Sequence, residues 1–266
     1  MKKKIKIGIV GFGNMGRSLG EVLKDKPEYC IFVFDKDSSK LNIKNFYICR
    51  NNEELIRNSE VLILAIKPQD LKDFIDKEKK YILENRPLII SILAGVPTNF
   101  FEKYLKNIKV IRVMPNLAIK VKEGISFISK GKFSTKQDLE IAKNIFSLTG
   151  DTFIVKENFI DKITSITGSG PGYIYYIMDC IYKTALKFGF GKELSKKMVI
   201  KTFLGAVKLA EISGKDFSVL VKEVASKKGT TQEALKIFNK KNLSNIFSCA
   251  INSAYLRAKT LSRIFN

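Results

Sequence analysis

The sequence predicts an α/β protein: a doubly wound, mainly parallel sheet, followed by an all-α C-terminal domain. Three observations carry this expectation. A short apolar run, Ile5, Ile7, Ile9 and Val10, leads straight into Gly11-Phe12-Gly13-Asn14-Met15-Gly16 and then into helix periodicity through Leu19, Val22 and Leu23. Apolar strand-like runs then alternate with helix-like segments as far as about residue 157. From about Asn158 no strand pattern recurs, and the remainder reads as helices.

Ile5, Ile7, Ile9 and Val10 form a short apolar run of the kind that makes a buried parallel strand, and the G-x-G-x-x-G that follows gives it chemistry. Gly11 permits the tight turn, Gly13 lets a pyrophosphate approach the backbone, and Gly16 lets the helix pack closely on the strand. The helix start offers free N–H groups and a favourable dipole to phosphates. A second strand, Ile31–Phe34, ends in Asp35, nineteen residues beyond Gly16, about where an acid holding the adenosine ribose lies in a Rossmann-type fold. Asp35 on the ribose hydroxyls favours NAD(H). Lys36, Ser38 and Lys40 around a 2′-phosphate favour NADP(H). Both stay open.

Asn52 is placed as the N-cap of a short helix, Asn52 to Ile56. A third strand, Val61–Ala65, runs into Ile66-Lys67-Pro68, with a helix from Gln69 to about Lys79. Loops at the carboxyl ends of parallel strands bind ligands in open α/β sheets, so Ala65, Ile66, Lys67 and Pro68 are expected to line the cofactor. Leu88–Ser91 is the fourth strand, followed by Ala94 and Gly95, small residues suited to a nicotinamide ring. Val110–Val113 is the fifth, ending in Met114-Pro115-Asn116. Ile125–Ile128 and Phe153–Val155 complete the sheet around a helix from about Thr135 to Ser147.

The helical half contains Ile160–Thr167, then Gly168-Ser169-Gly170-Pro171-Gly172, then helices over Tyr173–Phe188, Lys192–Ile212, Val219–Val224, Thr230–Phe238 and Leu243–Leu261. Ile174, Ile177, Met178, Ile181 and Leu186 make the first long helix apolar on most faces, which requires cover on most sides. A domain of this size supplies that cover best by pairing with a copy of itself, so a homodimer through these helices is expected. The turn Val224-Ala225-Ser226-Lys227-Lys228-Gly229-Thr230-Thr231 opens a helix with N–H groups for a carboxylate, and Thr230 and Thr231 add hydroxyls. The expected domains are therefore 1–157, binding the dinucleotide, and 158–266, binding substrate and dimerising.

Composition narrows the field. The chain has 266 residues, 47 Lys and Arg against 26 Asp and Glu, and a formal charge of +21. The excess is mostly Lys scattered on helix faces, with few Arg and no long basic block, so no nucleic-acid partner is expected. No apolar stretch approaches the roughly 18 residues of a membrane span, and no membrane association is expected. Cys30, Cys49, Cys180 and Cys249 form no C-x-x-C, as expected of reduced thiols in a cytosolic protein. There is no His, which excludes imidazole-based acid–base catalysis and His-ligated zinc, and no metal site is expected.

Taken together, Gly11–Gly16, Ala65–Pro68, Ala94-Gly95-Val96, Arg112–Asn116, Gly168–Pro171 and Ser226…Gly229-Thr230-Thr231 with Ala234 occur in the order and spacing of one family. The chain resembles the pyrroline-5-carboxylate reductases over nearly its whole length. The resemblance implies a cytoplasmic enzyme of proline biosynthesis that reduces the cyclic imine 1-pyrroline-5-carboxylate to L-proline, usually with NADPH. It implies a dimer interlocked through the C-terminal helices, often assembled into a decamer, with the active site at the junction of domains and subunits. By motif, Phe12–Gly16 hold the phosphates, Asn52 reaches the adenosine side and Ala65–Pro68 the nicotinamide side. Thr231 addresses the imine nitrogen, and Gly229 and Thr230 hold the substrate carboxylate beside Ser226.

Three positions depart from the family pattern. Leu117-Ala118 stand where Thr-Pro is usual, Lys227-Lys228 replace Pro-Gly, and Asp35 brings an acid to a neighbourhood that is uncharged or basic in NADPH users. A reductase of a different imine and a non-catalytic nucleotide-binding relative are the alternatives. The 3-hydroxyacid dehydrogenases share the two-domain plan but need a Lys four residues after Gly172, where this chain has Tyr176.

Overall fold

The computed structural model describes residues 4–265. Eight strands form one sheet in the order β3-β2-β1-β4-β5-β6-β7-β8. They are β1 (Ile5–Val10), β2 (Tyr29–Phe34), β3 (Tyr47–Ile48), β4 (Val61–Leu64), β5 (Leu88–Ser91), β6 (Val110–Met114), β7 (Gly124–Lys130) and β8 (Gly150–Ile154). Every neighbouring pair is parallel except β6 and β7. The order reverses between β1 and β4, the switch point at which open α/β sheets bind ligands beyond the carboxyl ends of their strands.

The central strands are mostly apolar because helices cover both faces. Ile7, Ile9, Ile63, Ile90 and Ile111 point to one face, packed with Leu19 and Leu23 of α1 (Asn14–Leu23) and Ala142, Ile145 and Phe146 of α5 (Lys136–Ser147). Leu62, Leu64 and Ile89 point to the other. There they meet Leu55 and Ile56 of α2 (Asn52–Arg57), Phe74 and Ile75 of α3 (Leu71–Asn85), and Phe100 and Phe101 of α4 (Thr98–Tyr104).

The helices that follow are α6 (Ile160–Ile163), α7 (Gly170–Lys187), α8 (Lys192–Ser213), α9 (Phe217–Val224), α10 (Thr230–Lys240) and α11 (Leu243–Ile264). Between α6 and α7 the chain makes a π-helical turn, Thr164–Gly168. The chain forms two compact units. One runs up to Pro171 and takes the chain in again from Ala254; the other is Gly172–Ser253.

Several local expectations need correction. Asn51, not Asn52, caps α2: its side chain accepts from the Glu54 N–H at 2.8 Å. Helix α3 begins at Leu71 after a 3₁₀ turn at Pro68–Asp70 and runs on to Asn85, where Arg86 ends it in the left-handed region. Strand β3 and helix α4 carry no sequence signal beyond two residues and seven, too short for a periodicity to show. Helix α5 starts as expected, with Thr135 and Asp138 forming a reciprocal capping box.

An ionic cluster centred on β6, an interior strand, locks part of the first unit. Arg112 on β6 is buried and pairs with Asp161 of α6 at 2.8 Å and with Glu157 at 3.5 Å. Glu157 also accepts from the Thr98 N–H and hydroxyl at 2.8 and 2.7 Å, and Asp161 from the Ser262 hydroxyl at 2.8 Å. The end of α11 is thereby tied to β6, α4 and α6.

Candidate active site

The glycine loop is built as its residue types require. Gly11 has φ +88°, a left-handed conformation that a side chain would strain, and its N–H donates to the Phe34 carbonyl at 2.9 Å. A Cβ here would lie 2.8 Å from the Ala65 carbonyl oxygen, so the turn after β1 passes against the end of β4. A Cβ on Gly16 would collide with the Gly11 carbonyl and lie 3.2 Å from the Ala65 methyl; its absence lets α1 seat on the turn. Gly13 differs: a Cβ there would meet nothing within 4 Å. No side chain caps α1, so the first N–H groups of the helix, at Asn14, Met15 and Gly16, have no intrahelical partner. A bare, open glycine beside uncapped N–H donors fits a pyrophosphate.

The remaining nucleotide residues divide by what they already touch. Phe12 is buried, its ring edge-on to Phe46 at 5.3 Å and under the Arg17 guanidinium, and its N–H donates to Asp35 at 2.7 Å. Asp35 is buried at the end of β2 and also accepts from the Asp37 N–H and the Lys40 ammonium. Lys36 points away, largely exposed, to Asp70 at 3.1 Å. Asn52 is the first residue of α2; its Nδ2 donates to Glu78 at 3.1 Å, while its Oδ1 is buried with no partner among the described residues. Ala65 and Ile66 are partly buried, Lys67 is exposed, and Pro68 opens a 3₁₀ turn. These residues follow β4, immediately beside the glycine loop across the switch point.

Ala94 is partly buried, and Gly95 is buried with φ +73°. The face of Gly95 that lacks a side chain is taken by Leu261 of α11, whose Cβ would be 2.7 Å from an added Cβ. Gly168 is set against the methyl of Met114, at the end of β6, leaving 2.7 Å for a Cβ. The motif after β6 and the motif before α7 therefore meet. The π-helical turn that delivers Gly168 was not legible in the sequence, although such turns recur at functional sites.

The second unit carries the hydroxyl-bearing turn. Gly229 is the N-cap of α10 with extended backbone, no side chain caps the helix, and Thr230, Thr231 and Gln232 are its first residues. Their N–H groups have no intrahelical acceptor by helix geometry. The turn closes through the Gly229 N–H on the Ser226 carbonyl at 2.9 Å, and a Cβ on Gly229 would collide with the Ser226 hydroxyl. Thr231 is partly buried, and Thr230 and Ser226 are exposed. Lys228 has φ +63°, so a lysine occupies a left-handed position that suits glycine better, and its N–H donates to Gln232 Oε1 at 2.7 Å.

A pyrroline-5-carboxylate reductase of Bacillus subtilis is 34% identical over 241 residues, spanning 87% of this chain and 86% of the relative. The chain belongs to the pyrroline-5-carboxylate reductases. A second reductase, from Methanosarcina acetivorans, is 33% identical over 97% of this chain and 98% of its own length. Residues 157–261 match the family described as pyrroline-5-carboxylate reductase dimerisation, and residues 6–95 match NADP oxidoreductase, coenzyme F420-dependent. Among solved structures, a Plasmodium falciparum pyrroline carboxylate reductase with NADP bound superposes with TM-score 0.90 and 26% identity, covering 98% of this reductase and all of that chain. A Coxiella burnetii pyrroline-5-carboxylate reductase gives TM-score 0.85 at 31% identity, covering 96% of this reductase and 98% of that chain.

Proposed function

We propose that this reductase converts 1-pyrroline-5-carboxylate to L-proline, the closing step of proline biosynthesis, in the cytoplasm, with Thr231 as the catalytic hydroxyl. Residues 1–157 bind the dinucleotide; 158–266 bind the imine and dimerise. The observation that carries the assignment of roles is the uncapped start of α10 at Gly229, with Thr230 and Thr231 as its first two residues. Free N–H groups and the positive end of the dipole suit a carboxylate, while a threonine hydroxyl one residue further on donates to or accepts from the ring nitrogen.

A reduced nicotinamide, when bound, supplies the hydride. A protonated imine already accepts hydride well, so the protein is left with positioning and with one proton at nitrogen. Gly13 and the N–H groups of Asn14, Met15 and Gly16 hold the pyrophosphate, and Ala65–Pro68 border the nicotinamide side. Asn52 Oδ1, a buried acceptor without a donor among the described residues, takes a hydroxyl of the adenosine ribose. Gly229 and Thr230 hold the carboxylate beside Ser226, and the Thr231 hydroxyl steadies or relays the imine proton. A chain without His needs no other acid–base group for this reaction.

Dimerisation through the C-terminal helices accounts for their surface. Tyr175, Tyr176, Phe188, Leu209, Ile212 and Phe217 are each more than 60% exposed in the single chain. Two of these, Tyr176 and Phe188, line an apolar groove of about 830 Å³ in the second unit, with Met198 of α8, Phe238 of α10 and Phe247 of α11. Apolar side chains at that exposure are covered by a partner subunit, and a decamer of five such dimers is the larger assembly to look for by sedimentation. The decisive assay follows loss of reduced-nicotinamide absorbance with 1-pyrroline-5-carboxylate, in parallel with NADPH and NADH. Oxidation with either supports the assignment; binding of cofactor without oxidation refutes the substrate.

A further inference from the structure

An acid at the end of β2 ordinarily takes the two hydroxyls of the adenosine ribose and so excludes a 2′-phosphate. Asp35 stands at that position, but its carboxylate is already committed. Oδ2 accepts from the Phe12 N–H at 2.7 Å and Oδ1 from the Asp37 N–H at 2.9 Å. The Lys40 ammonium reaches both oxygens, at 3.1 and 3.3 Å. A carboxylate offers about four lone-pair sites. Those four bonds occupy them, in a side chain only 7% exposed. A ribose hydroxyl would have to displace a backbone N–H of the glycine loop or of the turn after β2.

The cation is held as firmly as the acid. Lys40 lies in the 3₁₀ turn Ser38–Leu41, which Asp37 caps by accepting from the Ser39 N–H and hydroxyl. The Lys40 carbonyl accepts from Arg17 of α1 at 2.6 Å, and its ammonium is fixed by Asp35. The side chain is still 39% exposed, and an ammonium has three donors. Asp37, the nearest other acid, is directed to Ser39 and lies 3.7 Å from that ammonium. Lys36 is 79% exposed and drawn off to Asp70, so it is not preorganised in the same way.

We infer that Asp35 is a positioning residue for the glycine loop, not the acid that reads the ribose, and that Lys40, which it orients, selects a dinucleotide carrying a 2′-phosphate. The inference rests on the dinucleotide-binding half of the function proposed above and is independent of the imine substrate. A hydrogen-bonded ion pair to a phosphate is worth about ten- to a hundredfold in affinity. NADPH is therefore the preferred partner of this chain despite the acid at the ribose position.

The test is calorimetric titration of the full-length protein, free of substrate, with NADPH, NADH, adenosine 2′,5′-bisphosphate and AMP. The wild type should bind NADPH about tenfold or more tighter than NADH, with the same order for the two adenosine fragments. Lys40→Ala should remove most of that preference by weakening NADPH and leaving NADH within about threefold, and Lys40→Arg should restore it. Asp35→Asn should weaken both dinucleotides through the loosened glycine loop, and NADPH at least as much as NADH because Lys40 loses its anchor. A wild-type preference for NADH overturns the inference, as does an Asp35→Asn variant whose NADPH-to-NADH affinity ratio rises tenfold, the signature of relieved repulsion. Should Asp35→Asn not fold, the Lys40 pair decides alone: equal losses for both dinucleotides in Lys40→Ala overturn the inference. Failure of the folded wild type to bind either dinucleotide overturns the dinucleotide reading itself and this inference with it.

Discussion

Alanine substitutions at Gly13 and Gly16, only three residues apart, should separate cofactor binding from folding. At Gly16 the new methyl would collide with the Gly11 carbonyl and press the Ala65 methyl at 3.2 Å. Helix α1 must then withdraw by about 1 Å to restore ordinary contact distances. Overpacking of this kind costs about 1–3 kcal/mol, so Tm should fall by about 2–12 °C. At Gly13 the backbone, φ −73° and ψ −162°, is open to any residue, and the methyl meets nothing within 4 Å. Loss of unfolded-state freedom, about 0.4–1 kcal/mol, offsets the lower preference for Ala than for Gly at this N-cap, so Tm should stay within about 3 °C of wild type. The same methyl would stand where a pyrophosphate approaches the uncapped N–H groups of α1, and losing one charge-assisted hydrogen bond weakens binding by about tenfold or more. Scanning calorimetry and cofactor titration on both variants check this. A Gly13→Ala protein that melts as low as Gly16→Ala, or that binds NADPH as tightly as wild type, refutes the reasoning.

Four further outcomes follow from the geometry. Thr231→Ala should lower turnover by about 10–10³-fold, with Thr231→Ser recovering much of it in steady-state assays; unchanged turnover in the alanine variant removes the hydroxyl from the mechanism. Arg112→Ala leaves Asp161 and Glu157 partly buried without their cation and should cost about 3–5 kcal/mol in denaturant unfolding, whereas an exposed pair such as Lys77–Asp73 should cost under about 1 kcal/mol. Burial alone would raise the Asp138 carboxyl, but the Thr135 hydroxyl and N–H and the Lys109 ammonium outweigh it and hold it below its ordinary value. Its stabilisation is therefore complete above about pH 4 and lost as pH falls through the depressed folded value; the Tm difference between wild type and Asp138→Asn should shrink on acidification, and a constant gap would contradict this. Burial, with Glu54 nearby, pushes the Cys49 thiol up to about 11, so it should resist alkylation near neutral pH until the protein unfolds, as mass spectrometry of labelled peptides would show.

The sheet was legible because its signals are local and redundant. Runs such as Ile7–Val10 and Val61–Leu64 are buried on both faces, and burial of that kind writes itself as uninterrupted apolar residues. The glycine loop was legible because backbone constraints single out one residue type. Asp35 shows the limit: its position in sequence was found, but whether its oxygens face a ribose or the loop backbone depends on Phe12 and Lys40, and no spacing rule encodes that. The Arg112 cluster was missed for the same reason, since Arg112 and Ser262 become neighbours of Asp161 only through the fold. The displaced cap of α2 is a smaller case: adjacent Asn51 and Asn52 satisfy one rule equally, and only the extended backbone at Asn51 distinguishes them.

The division of α11 bears on the order in which the protein can be completed as it is made. Leu261 occupies the bare face of Gly95, Ser262 bonds Asp161, and Phe265 sets its ring against Phe100 at 5.2 Å. All three belong to the first compact unit, yet the ribosome reaches them only after the whole of the second. The nascent sheet must therefore wait with Gly95, Phe100 and the Arg112 cluster uncovered, exposed to a chaperone or to a neighbouring chain. The chain then crosses between the two units twice, at Pro171–Gly172 within α7 and at Ser253–Ala254 within α11, so the second unit is an insertion in the chain of the first.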